Sequence, residues 1–139
     1  MKKLGISEIL KLASSMKDDD AKIACLRQNA SPTLHAILRG AFDPGIKWLL
    51  PEGNPPYKPC ELVDQHSRLY TETRKLYLFI EGGNPNLKQI RREQLFIELL
   101  EAVDPEDAKL LLSIKDKELH YPGITKDLIN QAFPGLIPA

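Results

Sequence analysis

The chain has 139 residues, 42% of them apolar and 27% charged, which suits one soluble domain with a core of its own. Nineteen basic residues balance nineteen acidic ones, so bulk charge marks neither a nucleic-acid protein nor an acidic one, and any such role must rest on a local patch. No run of 18 apolar residues occurs, which excludes a spanning helix and gives no reason to expect a membrane partner.

The first segment, "MKKLGISEILKLASS", has two lysines but its apolar stretch is interrupted by Lys11, so it does not read as a signal peptide. Ser7 can cap a first helix from about Glu8 to Lys17, with Ile9, Leu10, Leu12, Ala13 and Met16 inward. Asp18, Asp19 and Asp20 place carboxylates where the dipole of a second helix favours them, and Asn29 ends it. Ser31-Pro32 pairs a cap with proline at the first helical position and opens a third helix carrying Leu34, Ile37, Leu38 and Ala41. Asp43-Pro44-Gly45 stops it.

Residues 46–63 then form one long ordered loop. Ile46, Trp48, Leu49 and Leu50 precede prolines 51, 55, 56 and 59, which exclude helix and central strand. A loop of this length is either pinned by its own anchors or functional. Two pictures follow. In one, Trp48 with Leu49 or Leu50 docks into the helical core, and the prolines lower the entropy lost on ordering. In the other, Trp48, Leu49, Leu50 and Tyr57 form an exposed aromatic-proline ridge that binds a partner.

A fourth helix is expected from Asp64 or Gln65 to Glu81. Its end, "LYLFI" at 76–80, would suit a strand in isolation, but Leu69, Tyr70, Thr73, Leu76, Tyr77 and Ile80 keep helical spacing. "GGNPN" turns the chain into a fifth helix, about Leu87 to Val103, and Asp104-Pro105 restarts it as a sixth. Thr125 can cap a last short helix to Phe133, before an extended apolar tail, "PGLIPA". "SPTLHAILRGAFD" and "DPEDAKLLLSIKD" echo one another; two helix pairs are too few for a solenoid, and shared capping rules account for the likeness. The expectation is an all-α single domain, 1–139, built as a compact bundle of six to seven short-to-medium helices.

Chemistry-bearing motifs are sparse. Cys25, Cys60, His35, His66 and His120 show no C-x2-C or H-x3-H spacing, so no metal site and no cofactor is expected, and both cysteines should be free thiols. A pairing of Cys60 with His66 is the one alternative the spacing offers. There is no nucleophile elbow and no phosphate loop; Glu98 and Glu101 read as the wet stripe of a helix rather than a catalytic pair. No catalytic residue is assigned, and a small enzyme is the least supported reading.

The basic residues offer more. Lys88, Arg91 and Arg92 stand at i, i+3 and i+4, and an antiparallel hairpin across "GGNPN" would bring Arg74 and Lys75 close to them. Arg74, Lys75, Lys88, Arg91 and Arg92 are therefore candidates for binding a polyanion such as nucleic acid, with the replacement of Arg91 and Arg92 expected to leave the fold intact. The competing view pairs them with Glu72, Glu81 and Glu93.

"IKWLLPEGNPPYKP", "LYLFIEGGNPNLKQIRREQLFIELLEAVDPEDAKLLLSIKDK" and "YPGITKDLINQAFPGLI" together resemble an uncharacterised family of small proteins from T4-like tailed phages, marine cyanophages included. The resemblance spans nearly the whole chain and implies no activity, ligand or catalytic residue. It implies a viral origin and expression in the host bacterial cytoplasm, with association to the virion left open. The resulting expectation is a non-enzymatic phage accessory protein that binds a protein partner, either host machinery or a phage assembly. The alternative is a nucleic-acid-associated protein using the basic hairpin.

Overall fold

Four short polar side chains punctuate the chain. Asp18, Ser31 and Thr125 accept the backbone N–H of Ala21, Leu34 and Leu128, and Asp104 accepts that of Glu106. Each satisfies a donor that the first helical turn would otherwise leave orphaned. Proline at the first helical position strengthens two of these starts, at Pro32 and Pro105.

The computed structural model describes residues 4–62 and 68–137. Over them the fold is all-α: α1 (Ile6–Ser14), α2 (Asp19–Gln28), α3 (Pro32–Phe42), α4 (Arg68–Glu72), a 3-10 helix (Thr73–Phe79), α5 (Gln89–Ala102), α6 (Pro105–Lys115) and α7 (Lys126–Ala132). The expected helix start at Asp64 or Gln65, and the Cys60–His66 pairing, lie outside the described residues.

α6 is the hub. It packs against α1, α3 and α5, and it can do so because Ala108, Leu110, Leu111, Leu112 and Ile114 leave little of its circumference polar. Buried Asp107, on its first turns, accepts the Ser7 N–H at 3.0 Å, placing a carboxylate at the positive end of α1. That bond explains a correction. Helix α1 begins at Ile6 with Gly5 as its cap, and Ser7 lies buried inside it rather than capping it. α2 carries α7: Arg27 donates to the C-terminal carbonyls of Gln131 (2.9 Å) and Ala132 (2.8 Å). Phe79 and Phe96 meet edge to face, centroids 5.3 Å apart, and seal the 3-10 helix to α5.

The stretch expected as one helix to Glu81 is different. A single α turn gives way at Thr73 to 3-10 helix, and Ile80 is extended, forming an isolated antiparallel bridge with Trp48. Leu49 N–H donates to the Phe79 carbonyl and Glu81 N–H to the Lys47 carbonyl, both at 2.8 Å. These long-range bonds pull the end of the segment out of helix. Thr73, Leu76 and Phe79, three apart, share one side of the tighter winding, and the latter two are buried. After Gly82, in the left-handed region at φ +85°, Gly83 packs so closely that a Cβ would lie 1.8 Å from the Tyr77 carbonyl oxygen. Over its described residues the tail is also corrected: it turns rather than extends, with the Leu136 N–H bonded back to the Phe133 carbonyl, and Ile137 is buried.

Candidate functional site

Glycine inside a helix costs about 0.5–1 kcal/mol relative to alanine, so Gly40 in α3 needs a reason. The reason is Trp48. Its indole lies flat enough on α3 that a Cβ on Gly40 would stand 2.7 Å from Cζ2. Its Nε1–H donates to the Gly40 carbonyl at 3.0 Å. The same carbonyl accepts from Lys117 Nζ at 2.8 Å, which also donates to the Asp43 carbonyl at 2.8 Å. Lys117 thus caps α3 across the fold, from a left-handed backbone at φ 59°. Burial pushes its ammonium pKa down, and the Asp43 carboxylate offsets part of that.

The loop is tied down further along its length. Gln89 Nε2 donates to the Leu49 carbonyl (2.7 Å), Lys115 Nζ to the Pro51 carbonyl (3.0 Å), and the Lys58 N–H to the Glu101 carboxylate (2.7 Å). Leu50 and Tyr57 are half-buried against the core, and Leu49 is half-buried as well. The docked picture therefore describes this loop. It needs one correction: Trp48 is half-buried rather than enclosed.

Trp48 forms part of a groove of about 300 Å³ between α3, the start of the loop and the 3-10 helix. Trp48, Ile46, Leu76 and Ile80 supply its apolar lining, and Tyr77, 51% exposed, stands at its edge. Arg39 from α3 and Arg74 from the 3-10 helix flank it, both exposed. The lining contains no aspartate or glutamate. Among the described residues neither arginine has an ion-pair partner.

The expected basic hairpin is not one patch. Arg92 is buried; its guanidinium donates to the carbonyls of Leu78 (2.9 Å), Asn84 (3.2 Å) and Leu87 (3.4 Å) and to the Gln89 side chain. It holds the 82–88 turn against the 3-10 helix, so its guanidinium is engaged inside the protein rather than offered to a polyanion. Lys75 reaches Glu72 at 2.8 Å, where Arg68 also binds at 3.0 Å. Burial pushes the Glu72 carboxyl up, but hydrogen bonds from Lys75 and Arg68 outweigh it and hold the pKa below its ordinary value. Arg91 lies 4.0 Å from Glu98, and Lys88 is exposed as the cap residue of α5.

The fold thus joins two sets that the sequence kept apart, Trp48 from the loop and Arg74 from the basic segment. It adds Arg39, which sequence reasoning missed. Its signal was the i, i+4 pair of small residues Ala36 and Gly40, a flat strip that a large ring can occupy, with Arg39 beside it. Cys25 is buried on α2, where burial raises its thiol pKa, and Cys60 is half-buried in the loop. Among the described residues, no helix is long and apolar enough to cross a membrane.

The sequence model of a family of unknown function, DUF6433, matches residues 9–121, a span that includes the groove. No curated protein matches the chain.

Proposed function

Since the chain belongs to DUF6433, a family of unknown function, we propose that it is a non-enzymatic accessory protein of a T4-like tailed phage. In this reading it acts in the host bacterial cytoplasm by binding a protein, either host machinery or a phage assembly. The phage origin is supported by the likeness of residues 46–59, 76–117 and 121–137 to that phage family. The observation that carries the binding role is the groove of Arg39, Trp48, Arg74 and Tyr77. Aromatic and arginine side chains around a partly desolvated apolar floor are the composition that concentrates binding energy at protein interfaces. The start of the loop is held by the Trp48 Nε1–Gly40 bond and by the Leu49–Phe79 and Lys47–Glu81 backbone bonds, so the groove's wall is organised before any partner arrives.

Nucleic acid fits less well. Phosphate tracking needs several free cations in a row, and here Lys75 and Arg91 face carboxylates while Arg92 is buried. Pulldown of the tagged protein from infected cells, with and without nuclease, tests the reading. A discrete protein recovered in both preparations is expected. Recovery of a nucleic acid, or of proteins that vanish on nuclease treatment, would overturn it.

A further inference from the structure

Resting on that reading, we infer that the groove's occupant is an acidic segment of the partner protein, with an apolar side chain placed between its carboxylates. The argument is one of charge complementarity. Arg39 and Arg74 line one groove of about 300 Å³, exposed, with no carboxylate in the lining and no ion-pair partner for either among the described residues. Elsewhere in the fold, Lys75 pairs with Glu72 at 2.8 Å and Arg91 lies 4.0 Å from Glu98. Two guanidiniums left unpaired beside a shared apolar floor attract anions, and arginine holds a carboxylate bidentately where lysine offers a point charge. The floor of Trp48, Ile46, Leu76 and Ile80 offers nothing to a second charge and accepts an apolar side chain. The volume lies at the low end of the range for ligand pockets, roughly 300–1,000 Å³, which suits one or two side chains of a chain segment.

Trp48 is the chain's single tryptophan, so its emission reads the groove directly. A random peptide library, displayed and selected on the full chain, is counter-selected on Arg39→Glu/Arg74→Glu. Enriched peptides are expected to carry two or more aspartates or glutamates around an apolar residue. Synthetic copies should change Trp48 emission on binding and lose at least tenfold in affinity to the double variant, while a poly-dT oligonucleotide should not compete. Neutral or basic peptides that bind and alter Trp48 emission would overturn the acidic assignment but leave the protein-binding role standing. No enrichment at all would overturn the assignment and count against the role too. Competition by the oligonucleotide would favour a phosphate ligand and overturn both. Both arginines are exposed and, among the described residues, unpaired, so the double variant should fold and melt close to the wild type, lowered only by the carboxylate it places in the last turn of α3; should it not, Arg74→Gln alone must still weaken binding several-fold, and unchanged affinity there refutes the inference.

Discussion

Replacing Gly40 by alanine pits two effects of opposite sign against each other. In a helix interior the substitution ordinarily gains about 0.5–1 kcal/mol. Here the new Cβ would stand 2.7 Å from Trp48 Cζ2 and 3.4 Å from Ile114 Cδ1. The indole is a rigid ring that cannot swing away cheaply. Its Nε1–H is bonded to the Gly40 carbonyl, and its backbone is flanked by the Leu49–Phe79 and Lys47–Glu81 hydrogen bonds, each 2.8 Å. Overpacking of this kind costs about 1–3 kcal/mol, and a strained or broken Nε1 bond adds about 1. The net expectation is a loss of about 1–3.5 kcal/mol, or roughly 3–12 °C in Tm for a domain of this size. Urea and thermal melts read it, with Trp48 emission reporting the ring's displacement. In a Trp48→Ala background the sign should reverse, because the clash is gone and the helix gain of about 0.5–1 kcal/mol remains. A Gly40→Ala protein that melts higher than wild type would refute the docked indole.

Arg92→Ala should cost about 2–4 kcal/mol in urea melts, because the part-buried carbonyls of Leu78, Asn84 and Leu87 lose the donor that buried Arg92 supplies; Arg91→Ala should stay within about 0.5 kcal/mol, and equal effects would contradict the division between them. Gly83→Ala should lose about 3 kcal/mol or more, since its Cβ would lie 1.8 Å from the Tyr77 carbonyl oxygen; a wild-type melt would mean that the 82–86 turn is packed otherwise. Glu72, whose folded pKa is lowered from 4.5, contributes stability that is fully present above that pH and is lost as pH falls through the folded value. Glu72→Gln should therefore flatten the acid-side fall in stability below about pH 4.5, and a slope identical to wild type would discount its pairing with Lys75 and Arg68.

What was legible in the sequence was local. The caps at Asp18, Ser31, Asp104 and Thr125 are decided within three residues by one hydrogen bond each, so α2, α3, α6 and α7 fall where the residues say. The 68–81 segment was not legible, because its 3-10 winding and extended Ile80 are set by Lys47 and Leu49, some 30 residues earlier in the chain. Ser7 misled for a similar reason: its N–H is satisfied by Asp107, a hundred residues away, which makes a hydroxyl cap unnecessary. The spacing of Lys88, Arg91 and Arg92 gives their angular positions on α5 but not which of them turns inward, and the turn carbonyls at 84 and 87 chose Arg92. Trp48 as an anchor was readable from its place before the prolines. The groove was not, because Arg39 and Arg74 meet only when the loop closes between α3 and the 3-10 helix.

The groove as a protein-binding surface is tested most directly by a photo-crosslinking phenylalanine analogue placed at Tyr77, compared with the same analogue at Ile90, which is 71% exposed on α5 and lies outside the groove. Irradiated in infected cells, the probe at 77 should give a discrete, nuclease-resistant protein adduct. The probe at 90 should give none, and Arg39→Glu/Arg74→Glu should abolish the adduct at 77. Equal adducts at both positions, no adduct at 77, or one that nuclease removes would contradict the account.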